Sequence, residues 1–145
     1  MNSKQESTVR GPVGAREAAS RDARQWDLSG TSAFHIAAFA ALSEMIGEDG
    51  AREMVEIFES ETRQRLVRLA EGVQNIEALV REMHTLRGAA GTVAAPRLAE
   101  LGGTLEQAAR RGMVPTAGHL QAIEDALGAF LAEVRARGEL RSAAA

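Results

Sequence analysis

The sequence predicts an all-α chain, and three observations carry that expectation. Ala, Leu, Glu and Arg, all strong helix formers, are abundant, while aromatics make up only 3% of the 145 residues, Tyr is absent and Phe numbers four. Apolar and small residues recur at three- and four-residue spacing from about position 33 onward. Gly and Pro fall mainly between these periodic stretches, where they make short connections. Amphipathic helices joined in this way pack as an antiparallel up-and-down four-helix bundle, here with a short additional N-terminal helix.

Residues 1–30 mix charges of both signs with Gly11, Pro12 and Gly14 and have no apolar period, which predicts a flexible tail, with Trp26 and Leu28 docking its end. The bundle is expected over 31–138, followed by a C-terminal tail, 139–145. Ser32 is the expected cap of a first helix, "AFHIAAFAALSEMI", that stops at Gly47. A second begins near Glu48 or Asp49, acidic residues suited to a helix N-terminus, and carries the stripe Ala51, Met54, Val55, Phe58, Thr62, Leu66, Leu69 and Val73. Asn75 caps a third, with Ile76, Leu79, Val80, Met83, Leu86 and Ala90 on one face. Pro96 opens a fourth, with Leu98, Leu101, Leu105 and Ala108 inward and Gly112 at its end. Pro115 and Thr116 open a fifth, whose stripe is Leu120, Ile123, Leu127, Phe130, Leu131 and Val134.

Composition excludes several functions. Seventeen basic and twenty acidic residues give a net charge of −3 and a pI of about 5.7, with no basic footprint for nucleic acid. Cys is absent, which removes disulfides, thiolate metal sites and a cysteine nucleophile. No stretch approaches the roughly 20 apolar residues that span a bilayer, and the N-terminus has no apolar leader, so a cytoplasmic chain without membrane contact is expected.

The third helix concentrates the chemistry. At 100° per residue His84 shares its side with Val80, Arg87, Gly88 and Gly91, beside the inward stripe, so its ring is expected at the edge of the core and partly exposed. Two glycines inside a helix cost about 1 kcal/mol each relative to Ala, and close approach of another body to the histidine gives a reason for that cost. Arg87, one turn on, opposes a metal ion and suits an anion. An accessible imidazole beside a guanidinium is suited to carry a phosphoryl group, whose oxygens the arginine can partner. Attack through Nε2 requires the proton on Nδ1, hence an acceptor there. Glu106 on the next helix is the candidate, in preference to Glu100, which lies near the loop.

The stretch "MHTLRGAAGTVAAPRLAELGGTLEQAARRG" resembles the histidine-containing phosphotransfer (HPt) domain family, and its "AGTV" is similar to the version in chemotaxis histidine kinases. The resemblance extends over about residues 33–137, with its specific part in some thirty of them. It implies that His84 is phosphorylated, that Arg87 stands at the family's lysine position, and that Glu106 stands where the family has a Gln or Glu bonding the ring. It further implies a monomeric carrier without kinase or ATPase activity of its own. Such a carrier passes phosphoryl groups between a sensor or hybrid histidine kinase and response-regulator receiver domains. It needs no cofactor, Mg²⁺ belonging to the receiver. Met83, Gly88 and Gly91 are then the expected docking surface. Two positions depart from the pattern. Arg87 replaces lysine in a chain whose only lysine is Lys4 against sixteen arginines, and Ala94 stands where the family has glycine.

Rival readings are weaker. His35 and His119 lack comparable neighbours and are expected at the surface or edge. "GAAGT" has neither a preceding strand nor a Lys–Ser/Thr pair, so it is not a phosphate loop. Met45, Met54, Met83 and Met113 are expected as core filler, with Met83 also reaching the docking surface. No histidine pairs with a nucleophilic serine or with a second ligand at metal spacing. The main alternative is a helical interaction module that binds a receiver or kinase domain without being phosphorylated.

Overall fold

The computed structural model describes residues 30–144, with side chains through position 138; Trp26 and Leu28 lie outside the described residues. These form five helices: α1 (Ile36–Ile46), α2 (Glu48–Glu71), α3 (Ile76–Thr92), α4 (Pro96–Arg110) and α5 (Ala117–Ala144). Contacts run α2 to α3, α3 to α4, α4 to α5 and α5 back to α2, with α1 laid on α2. The pairing of α3 with α4 is the most extensive. Helix α5 continues past 138 to Ala144, so the segment expected as a C-terminal tail is helical in backbone.

Local chemistry explains most helix starts. Asn75 accepts from the Ala78 amide at 2.8 Å, and Pro96 occupies the first turn of α4, where a missing N–H costs nothing. Thr116 and His119 cap α5 reciprocally: the Thr116 amide donates to His119 Nδ1 at 3.0 Å and the His119 amide donates to Thr116 Oγ1 at 3.2 Å. His119, expected at the surface or edge, is buried. Helix α1 differs from expectation. Its cap is His35, whose Nδ1 accepts from the Ala38 amide, and not Ser32. The chain before it is tied elsewhere. The Arg97 amide and Nε donate to the carbonyls of Ser32 and Thr31, Thr31 Oγ1 donates to Glu100, and the His35 amide donates to the Ala94 carbonyl. Residues 31–35 thus lie against the α3–α4 turn.

The core is aliphatic with a small aromatic cluster. Phe130 meets Phe34 and Phe58 edge-on, with ring centroids 5.9 and 5.8 Å apart. Met83, Leu86, Leu98, Leu101, Ile123 and Leu127 surround it without exposure above 2%. Met45 and Met113 are exposed and are not core filler. Arg65 is buried among the apolar residues of α2 because its Nε reaches Glu82 of α3 at 2.9 Å, and Arg68 holds the other oxygen of the same carboxylate at 2.9 Å. This triad fixes α3 against α2 two residues before His84.

Helices α3 and α4 end in the same way with different residues. At α4, Gly112 takes φ +85°, its amide bonding Ala109 and the Met113 amide bonding Ala108. At α3 the equivalent left-handed residue is Ala94, φ +69°, with the Ala94 amide on Gly91 and the Ala95 amide on Ala90. The departure from glycine at position 94 therefore falls where the backbone strains a side chain. A Cβ at Gly112 would meet open space, so Gly112→Ala isolates the backbone cost and is expected to destabilise by about 1 kcal/mol. Ala94→Gly should gain much less, because the methyl group it removes is buried, at about 0.8 kcal/mol per carbon. Urea denaturation of both variants checks the asymmetry, and an equal and opposite pair of shifts would refute it.

Candidate functional site

His84 projects from the middle of α3 with its side chain 62% exposed. Its Nδ1 lies 3.1 Å from Oε2 of Glu106, which is buried on the facing side of α4. Glu106 follows Leu105 in the inward stripe, and the short α3–α4 turn brings it back level with the ring. The other candidate, Glu100, is engaged by Thr31 near the turn. Arg87, half-exposed one turn beyond His84, has its Nε 3.6 Å from the second oxygen of Glu106. Residues 84, 87 and 106 thus form one constellation, two members at the surface and one inside.

Electrostatics decide which ring nitrogen carries hydrogen. A hydrogen bond from Arg110 holds the Glu106 carboxyl below the ordinary carboxylate range, outweighing the upward push of burial, and the His84 contact and the Arg87 charge add to it. An ionised carboxylate can only accept, so the ring donates from Nδ1. The neutral imidazole then has its lone pair on Nε2.

The same interactions set an acid limit. Arg68, then Arg65, hold Glu82 low as well. A carboxyl whose folded pKa is depressed contributes its full stability above the unfolded value, about 4.3 for Glu, and loses it as pH falls through the folded value. The urea midpoint is therefore expected to fall once pH drops below the unfolded value, and to fall less steeply in Glu106→Gln. An identical slope in that variant would mean that Glu106 is not part of the acid transition.

Gly88 and Gly91 lie on the exposed side of α3, and a Cβ at either would meet nothing within 4 Å. Met83 is different. It is fully buried in the core, because position 83 falls on the inward stripe of α3 with Leu79, Leu86 and Ala90, so it offers no surface for docking. Two further features were missed at the level of sequence. At Gly102 a Cβ would stand 3.1 Å from the Arg87 amide nitrogen, so glycine there lets the backbones of α4 and α3 lie this close, while at Gly103 it would stand 3.2 Å from Cδ of the movable Arg87 side chain. The signal was available, since an adjacent pair of glycines inside a helix is costly. Arg110 was the other, concealed in "AARRG" as an ordinary charged helix end. Among the described residues no group of three His, Asp or Glu could hold a metal ion, and no helix is long and apolar enough to cross a membrane.

Searches among curated proteins and among solved structures gave no significant match. A family model described as the Hpt domain matches residues 53–136, more than half of the chain, from early in α2 into α5, and spans His84, Arg87 and Glu106. The chain belongs to the Hpt domain family, whose chemistry is histidine phosphotransfer in two-component phosphorelays.

Proposed function

We propose that His84 is the residue that carries the phosphoryl group, with Glu106 and Arg87 as its partners. The observation that carries this reading is an exposed imidazole whose Nδ1 is held on a buried, ionised carboxylate. In the proposed step the Nε2 lone pair attacks the phosphorus of an aspartyl phosphate on a receiver domain. The N–P bond forms as the P–O bond to the aspartate carboxylate breaks, and that carboxylate leaves with the electron pair. The ring becomes a phosphoryl imidazolium that keeps its Nδ1 hydrogen, and Glu106 offsets the positive charge. Arg87 supplies donors to the phosphoryl oxygens from one turn away. Transfer onward to another receiver is the reverse of this step, and a kinase donor replaces the aspartate in the same geometry.

The framework proposed for this chemistry is an antiparallel up-and-down bundle of α2–α5, with α1 as the additional helix. The ring of contacts among α2, α3, α4 and α5 supports it. The partners proposed are receiver domains and a sensor or hybrid kinase in the cytoplasm, which meet a monomer at the face of α3 that bears His84, Gly88 and Gly91. The Mg²⁺ that receiver chemistry uses resides on the partner. The test is incubation with a panel of receiver domains charged with radiolabelled phosphoryl groups, followed by peptide mapping. Label at His84 in the alkali-stable, acid-labile form of a phosphohistidine is expected. Receiver binding without label would favour the interaction module instead.

A further inference from the structure

The firmest hold on Glu106 comes from neither His84 nor Arg87. Arg110, one turn further along α4, donates from a terminal guanidinium nitrogen to Oε2 at 2.7 Å, the same oxygen that receives the ring at 3.1 Å. Oε1 receives no hydrogen bond, and Arg87 stands beyond hydrogen-bond distance from it at 3.6 Å. A buried carboxylate requires a counter-charge, and two arginines lie within reach of this one. The i,i+4 order, Glu before Arg, and the place of Arg110 in the last turn of α4 both favour the Arg110 pair.

We propose that Arg110 is a positioning residue for phosphotransfer. It fixes the charge and orientation of Glu106 as the acceptor of the ring's Nδ1 hydrogen. By meeting that carboxylate's need for a counter-charge, it leaves the Arg87 guanidinium free to turn to the phosphoryl group on Nε2. This rests on the reading of His84 as the phosphoryl carrier. Without Arg110 the uncompensated charge of Glu106 draws Arg87 inward, and the ring loses both its fixed acceptor and its cation. An arginine that merely held α4 together would act whether or not residue 106 were charged.

The charge dependence supplies the experiment. Arg110→Ala, Arg110→Lys, Glu106→Gln and the double variant Glu106→Gln/Arg110→Ala are compared with the parent in three measurements. These are the rate of phosphorylation by phosphoramidate, a small donor that needs no docking; the ¹⁵N imidazole signals of His84, which report its tautomer; and thermal melting. Arg110→Ala is expected to slow phosphorylation about tenfold and to lower the share of rings with hydrogen on Nδ1, with Arg110→Lys restoring most of both. In the Glu106→Gln background, loss of Arg110 should change neither measurement. An unchanged rate and tautomer in Arg110→Ala would overturn the proposal, as would an equal loss in the Glu106→Gln background. If the parent itself takes no label at His84, the phosphotransfer reading falls and the proposal with it. A parent that is labelled beside an indifferent Arg110→Ala removes the proposal alone.

Discussion

His84→Gln is expected to accept no phosphoryl group while melting close to the parent. The two outcomes separate because the side chain is largely exposed and is held by a hydrogen bond to Glu106. A glutamine amide can donate to the same carboxylate, and Arg110 still neutralises it, so no buried charge is abandoned. The change in stability should remain within about 1 kcal/mol, the scale of one partly exposed hydrogen bond. The chemical loss should be complete, since an amide nitrogen has no lone pair available for attack. Of the other histidines, His35 uses Nδ1 as a helix cap and His119 is buried, so neither offers a comparable ring. Label incorporation measured beside a melting curve decides the matter. Label retained in His84→Gln would remove His84 from the site, and a collapsed fold would make it a structural residue.

Gly88→Leu is expected to stabilise the chain and to disable it. A Cβ at position 88 meets open space and leucine is the better helix former by nearly 1 kcal/mol, so melting should rise or hold. The added isobutyl group stands one turn from His84 on the face proposed for docking. In-line transfer needs the two reacting side chains positioned to within about an ångström, and obstruction of that approach should slow transfer from a receiver domain tenfold or more. Phosphoramidate, which does not dock, should still phosphorylate the variant at the parental rate. Equal slowing with both donors would indicate damage to the ring's surroundings, and undiminished transfer from the receiver would mean that the bare side of α3 does not face a partner.

The elements legible in the sequence were those whose causes are local. Asn75 and Pro96 act within a few residues, so the starts of α3 and α4 could be read directly. The start of α1 could not, because Ser32 is held by Arg97, sixty-five residues on, and a histidine ring does the capping. Arg65 inside the core was hidden for a similar reason, since its burial depends on Glu82 from another helix. At the site, helical spacing brought out His84 with Arg87, the return of the α3–α4 hairpin brought out Glu106, and the family pattern pointed to the same three residues. Spacing placed Met83 correctly on the inward stripe, and the expectation that it also reaches the docking surface failed because neighbours in sequence lie 100° apart on a helix, so one faces water while the next faces the core. Arg110 escaped because its bond is to a carboxylate whose burial no sequence pattern displays.

The approach of α4 to α3 at Gly102 also sets a tolerance. His84 and Glu106 belong to different helices, and a glutamate side chain has a fixed reach, so the ring and its acceptor meet at one interhelical separation. A contact of 3.1 Å lengthened by about 1 Å ceases to be a hydrogen bond, yet a packed helix pair can absorb such a shift without unfolding. The constellation therefore works as a caliper on the α3–α4 gap. Substitutions along that seam can leave helical content and melting unchanged and still release the ring to either tautomer, so under the role proposed for His84 the rate of phosphorylation would gauge the spacing of these two helices more finely than any measure of whether the chain is folded.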